Sequence, residues 1–253
     1  MKFSLPKVAT APFCPPEVAG SVAVDPRASF FKRVLRFAGP GLLVSIGYMD
    51  PGNWATAIES GSRFGYSLLF VVLLASLAGM VVQCLCSRLG IATGRDLAQL
   101  SRERYSKRTA RTQWVLAEIS IIATDLAEVL GCALAFHLLL GCSLTVGIAL
   151  TAFDTLLVLA LQNRGFRRLE AIMLVLVSTI GVCFLVELLL IKPYWPDVAR
   201  GFVPSLSSIG DAAQLYLAIG ILGATVMPHN LYLHTSIVQT RMIGKDLASK
   251  QDA

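Results

Sequence analysis

The sequence predicts an all-α membrane protein with six spans, two of them broken at mid-length. Three observations carry that expectation. The chain of 253 residues is 55% hydrophobic and 15% charged, with a mean hydropathy of +0.67, too apolar for a soluble domain. Six apolar stretches qualify against the roughly 20 residues needed to cross a bilayer, once two interruptions are read through. Those interruptions are Asp50-Pro51-Gly52-Asn53 and Met227-Pro228-His229-Asn230, each at the middle of an apolar segment.

Residues 1–36 carry Pro6, Pro12, Pro15 and Pro16 and no apolar run of signal-peptide length, so they read as a loose cytoplasmic tail and not a cleaved leader. A transmembrane domain follows over 37–240, with spans at about 37–61, 66–89, 114–140, 144–161, 169–191 and 215–239. Residues 241–253 close the chain as a cytoplasmic segment. The 22 basic residues sort by loop: six precede the first span, seven follow the second, three follow the fourth and three follow the sixth. Only Arg63, Lys192 and Arg200 fall in the other loops. The positive-inside rule therefore puts the N-terminus, the 88–111 loop and the C-terminus in the cytoplasm. The net charge of +6 is a topology signal of this kind and gives no argument for nucleic acid. Cys14, Cys84, Cys86, Cys132, Cys142 and Cys183 show no CxxC spacing and read as packing thiols.

At bilayer depth a carboxylate, carboxamides and an imidazole are costly, and by default they face a cavity or a partner. Proline removes an amide donor and pushes the preceding residue out of helical geometry, while glycine loosens the backbone. Each interrupted span is therefore expected to be two half-helices joined by an unwound stretch, over Asp50 to Asn53 and over Met227 to Asn230. Lipid cannot satisfy freed backbone groups, so such a stretch lines a cavity or lies within protein. Broken helices of this kind point to a transporter's ion or substrate site.

Asp50 and Asn53 flank one turn and can converge, and the unwound backbone frees the carbonyl of Gly47 or a neighbour. The run Ala224-Thr225-Val226-Met227 leads into Pro228, freeing further carbonyls and placing a thioether at the same depth. Oxygen ligands alone suit Mg²⁺ or Ca²⁺, whereas an added sulfur shifts the preference towards Mn²⁺ or Fe²⁺. The alternative is that Met227 is lipid-facing filler. On the third span Glu118, Asp125 and Glu128 fall on one helical stripe, either a proton or cation path or static partners of arginines on other spans. His229, beside the second break, can relay protons; His234 is expected to satisfy a backbone or side-chain partner, His137 to have no role in chemistry, and Asp154, Thr151 and Glu187 to make packing hydrogen bonds rather than form a site.

These motifs resemble the Nramp family of proton-coupled divalent metal transporters, its bacterial manganese-transporting branch in particular. The resemblance rests on Asp50-Pro51-Gly52-Asn53, on Met227-Pro228-His229-Asn230 extended by Leu231-Tyr232-Leu233-His234, and on Ala123-Thr124-Asp125-Leu126-Ala127-Glu128. It implies a LeuT-like inverted-repeat fold, of which the chain holds the first repeat and the opening helix of the second. It implies metal ligation by Asp50, Asn53, Met227 and the Ala224 carbonyl, with a Gly47 backbone oxygen in some states. Proton handling would fall to Asp125, Glu128, His229 and Asp50, joined by Glu118 of the same stripe.

The implied activity is import of Mn²⁺ or Fe²⁺ driven by co-transported H⁺ across a bacterial cytoplasmic membrane, with no resident cofactor and no enzymatic step. Family members have about eleven spans, so spans seven to eleven are missing here, and the expectation for this chain alone is weak metal binding at best and no coupled transport. Three other readings compete with this one. An organic-solute symporter of the same architecture is disfavoured by Asp50 and Met227. A truncated, non-transporting subunit would associate with a full-length carrier. A membrane metalloenzyme lacks any HExxH-type ligand pair.

Overall fold

The computed structural model describes residues 22–23, 29, 31, 41, 44–162, 166–205 and 210–242. Most of the expected tail 1–36, the opening of the first span before residue 44 and residues 243–253 lie outside the described residues.

The first interrupted span reaches its break as a 3-10 turn, Gly47–Met49, followed by Asp50 in extended geometry (φ −72, ψ 159). Helix α1, Pro51–Phe64, starts at the proline, whose fixed φ suits the first helical position. Gly65, at φ +57, ends it by donating its amide to the Gly61 carbonyl at 3.0 Å. Then follow α2, Leu69–Thr93, and the short α3, Leu97–Arg104. Asp96 opens α3 through a capping box with Gln99. Helices α4, Lys107–Leu140, α5, Leu144–Gln162, and α6, Phe166–Ile191, come next. A second short helix, α7, spans Trp195–Gly201. The last interrupted span consists of α8, Ala212–Thr225, and α9, Pro228–Ile237, with a 3-10 turn at Val238–Thr240.

Two details differ from the sequence expectation. The α-helical breaks are the 3-10 turn Gly47–Met49 ending in extended Asp50, and Val226–Met227, both upstream of the motifs' centres, because both prolines act as helix starters; Gly52, Asn53, His229 and Asn230 are helical. The tails are also not wholly loose: Val22–Ala23 (β1) pairs in parallel with Arg241–Met242 (β2).

Among the described residues four stretches are long and apolar enough to cross a bilayer: Leu69–Thr93, Lys107–Leu140, Ala171–Ile191 and Ala212–Thr240. Leu144–Leu157 is a shorter apolar helix. Leu126, Leu157 and Leu189 are 61%, 53% and 64% exposed, as hydrocarbon-facing side chains are.

The contacts sort the chain into two units. One comprises Ser45–Gly79 and Ile122–Met227. Its core joins Leu68 and Ala75 of the α2 end to Leu217 and Ile221 of α8, with Phe64, Val71 and Ala218 around them. Small residues let its helices approach closely: a β-carbon on Gly147 of α5 would lie 2.6 Å from the carbonyl oxygen of Ala133 in α4. The other unit comprises Met1–Val44, Met80–Ile121 and Pro228–Ala253. Within it α3 packs on α9, and the Leu97 amide donates to Thr235 Oγ1 at 3.0 Å. A β-carbon on Gly90 would come within 2.7 Å of the Thr235 carbonyl, so that glycine permits the close approach of α9 to α2.

Candidate cation site

The site grows from the cap of α1. The Asp50 side chain accepts the amides of Gly52 and Asn53, each at 3.2 Å, and so satisfies two donors orphaned at the helix start. This fixes the carboxylate at the break, where it is 8% exposed. Gly52 is required for the approach, since a β-carbon there would sit 2.8 Å from Asp50 Oδ2 and 3.5 Å from the Ala224 β-carbon.

Asn53, one turn into α1, faces back over the break. Its Nδ2 donates to Asp50 Oδ1 at 2.6 Å, to the Tyr48 carbonyl at 3.2 Å and to the Ala224 carbonyl at 3.1 Å. Three oxygens, one charged, therefore converge on a single nitrogen. Its Oδ1 accepts from Thr225 Oγ1 at 3.4 Å. Thr56 holds the first turn from behind, donating to the carbonyls of Gly52 at 2.7 Å and Asn53 at 3.0 Å. Of the helix pairs, α1 and α8 share the most extensive contact, which brings the two breaks together.

Helix α8 ends at Val226 (φ −97, ψ 73), whose amide bonds the Leu222 carbonyl at 2.9 Å. Met227 follows in the break and is 3% exposed, so it is not lipid-facing filler. Of the expected metal ligands, the structure therefore joins Asp50, Asn53 and Ala224 by direct hydrogen bonds, and places Gly47 in the 3-10 turn before the first break and Met227 in the second break.

The charge at Asp50 is uncompensated by any cation of the described residues. Their three ion pairs lie elsewhere: Glu59–Arg63, Arg95–Glu103 and Asp197–Arg200. A buried carboxylate held by hydrogen bonds alone is a strong attractor for a cation. Among the described residues no three His, Cys, Asp or Glu side chains gather into a metal cluster, so a cation here would depend on carbonyl and amide oxygens.

Helix α4 packs on the same break. A β-carbon on Gly131 would lie 2.5 Å from Cβ of Pro51 and 3.4 Å from Cζ2 of Trp54. Glu128, one turn before Gly131, is within electrostatic range of Asp125 and Asp50. Glu118, Asp125 and Glu128 are all exposed, so the face expected inside a bundle is not covered by the described residues. His229 and Glu118 belong to the second unit. There His234 hydrogen-bonds Gln83, a structural role as expected. His137 bonds the Cys142 carbonyl at 2.6 Å, and Thr151 donates to the Gly147 carbonyl at 2.9 Å, the packing hydrogen bond expected of Thr151. Thr225, Thr56 and the Tyr48 carbonyl were not singled out from sequence. Hydroxyls within two turns of a break were the available signal for the two threonines.

Fold and site together define an integral membrane protein of the discontinuous-helix kind, with a cation-seeking carboxylate where two broken helices meet. The chain belongs to the Nramp family (Natural resistance-associated macrophage protein-like), whose profile matches residues 41–253. It is 71% identical over 253 residues to the divalent metal cation transporter MntH 1 of Pseudomonas aeruginosa, covering 100% of this chain and 58% of that one. It is 65% identical over 250 residues to MntH of Ralstonia nicotianae, covering 99% and 57%. Among solved structures, a histidine-to-alanine mutant of the Eremococcus coleocola manganese transporter matches with a TM-score of 0.83 at 40% identity, over 93% of this chain and 49% of that one. The same transporter in complex with an aromatic bis-isothiourea substituted compound matches with a TM-score of 0.83 over 94% and 49%. The fold is thus the LeuT-like one of this family, and these relatives are named as transporters and not as enzymes. The chain spans about half the length of the relatives it matches.

Proposed function

We propose that the chain forms the cation-binding part of a proton-coupled importer of divalent transition metals, Mn²⁺ and also Fe²⁺. The single observation that supports this most is the convergence of Asp50 Oδ1 and the Ala224 carbonyl on one atom, Nδ2 of Asn53. An amide nitrogen there marks a point where a cation would find a charged oxygen and a backbone oxygen together. Metal ligation through Asn53 Oδ1 requires the amide to turn over, exchanging its bond from Thr225 for one to the ion. In this reading the ligands are Asp50, Asn53, the Ala224 carbonyl and Met227, with Gly47 adding a backbone oxygen in some states. The thioether biases the site towards Mn²⁺ and Fe²⁺ over Ca²⁺ and Mg²⁺.

Protons leave by the acids of α4. Asp50 must be charged to bind metal, so binding and proton release are linked there. Asp125 and Glu128 accept and pass protons, with His229 and Glu118 extending the route. Residues 37–240 form the membrane domain of a bacterial cytoplasmic membrane protein, flanked by cytoplasmic segments 1–36 and 241–253; the loop distribution of Lys and Arg supports that orientation.

The test is Mn²⁺ binding by the purified chain in detergent, read from loss of the free-ion electron paramagnetic resonance signal. The expected result is binding by the wild type that disappears in Asp50→Ala. Undiminished binding by that variant would refute the assignment.

A further inference from the structure

We propose that the corner between α3 and α4 is a docking surface for anionic lipid headgroups. Arg104 lies in the last turn of α3, and Lys107, Arg108 and Arg111 open α4. All four are exposed, and none forms an ion pair among the described residues. The adjacent acid, Glu103, is engaged by Arg95. Cations in the first turn of a helix oppose its dipole, so local helix energetics disfavour Lys107 and Arg108 at the start of α4.

Their position relative to the bilayer explains them. Helix α4 has 34 residues. At about 1.5 Å per residue it is roughly 50 Å long, against a hydrocarbon core of about 30 Å. Its apolar surface begins with Trp114, Val115 and Leu116, which are 60%, 41% and 62% exposed. Lys107 to Arg111 then fall in the headgroup layer. Positions 107, 111 and 114 follow i, i+4, i+7 spacing, so ammonium, guanidinium and indole share one stripe. Tyr105, 51% exposed, stands beside them. Aromatic rings at headgroup level and clustered Lys and Arg just outside a span are the two features that hold an anionic phosphodiester. The next acid on the stripe, Glu118, is seven residues past Arg111, about 10 Å along the axis and too far to neutralise it by contact.

Native mass spectrometry of the purified full chain, given equal phosphatidylglycerol and phosphatidylcholine, tests the proposal. The wild type should retain phosphatidylglycerol at least tenfold over phosphatidylcholine. The combined Lys107→Gln, Arg108→Gln, Arg111→Gln variant should lose that preference, and Arg63→Gln, in the last turn of α1, should keep it. Equal retention of both lipids by the wild type is what a basic loop serving only topology gives, and it overturns the proposal. An unchanged preference in the triple variant does the same. Should that variant not fold, the wild type in rising ammonium acetate decides: steep loss of phosphatidylglycerol supports the surface, and salt-insensitive retention overturns it. Displacement by glycerol phosphate would indicate a site for soluble phosphates and contradict lipid docking.

Discussion

Gly131 of α4 lies so close to Pro51 that any side chain at 131 would overlap the proline ring. This contact sets α4 against the first residue of α1, one residue from the carboxylate that caps it. Gly131→Ala should therefore shift Pro51 and disturb Asp50. Overpacking of this kind costs about 1–3 kcal/mol. The expected result is a lower melting temperature and Mn²⁺ affinity reduced about tenfold, the equivalent of about 1.4 kcal/mol. Wild-type affinity in a folded Gly131→Ala protein would show that α4 does not position the site.

Asp50 does two jobs that substitution can separate. Asn and Asp cap helices about equally well, whereas Ala costs about 1 kcal/mol at such a position. Asp50→Asn should cost less stability than Asp50→Ala, because its amide oxygen still accepts one capping bond while its NH2 faces a donor, and Mn²⁺ binding should fall more than 100-fold, because the amide carries no charge. Asp50→Ala should lose both. Parallel melting curves and binding isotherms would check this, and retained binding in Asp50→Asn would show that the charge is dispensable.

Met227 is buried in the second break, as a metal-facing thioether requires. Met227→Ala should erode discrimination against Ca²⁺ while leaving Mn²⁺ bound through oxygen. X-ray absorption at the manganese edge should find one sulfur neighbour in the wild type and none in the variant. A sulfur-free shell in the wild type removes the thioether from the site.

Linkage gives the pH dependence its sign. A ligating carboxylate binds metal only when deprotonated, so protons compete with Mn²⁺ for it and apparent affinity falls as pH is lowered. Calorimetry in buffers of different ionisation enthalpy measures the protons released. Zero release at all pH values would break the proposed coupling at Asp50.

Much of this was readable in the chain. Prolines within apolar runs revealed both interruptions, and polar residues at that depth revealed that they matter. The sequence did not locate the breaks to the residue, because Asp-Pro can be read as the middle of a gap or as cap and first turn of a helix. Asp50 takes the cap, and the interruption moves upstream into the 3-10 turn Gly47–Met49. Helices α3 and α7 lie in loops too short and polar to show periodicity, though Asp96 with Gln99, and Trp195 with Pro196, were usable start signals. The glycine contacts at 90, 131 and 147 are tertiary: nothing local distinguishes a glycine that admits a neighbour from one in open space. The acidic stripe of α4 was legible as a face, but a stripe does not say what covers it.

The claim that most else rests on is that one cation sits where α1 and α8 meet. Anomalous scattering from crystals of the chain soaked in Mn²⁺ addresses it directly. The account predicts a single strong peak within bonding distance of Asp50, Asn53 and the Ala224 carbonyl. A peak bound elsewhere, with those three groups unligated, would contradict it.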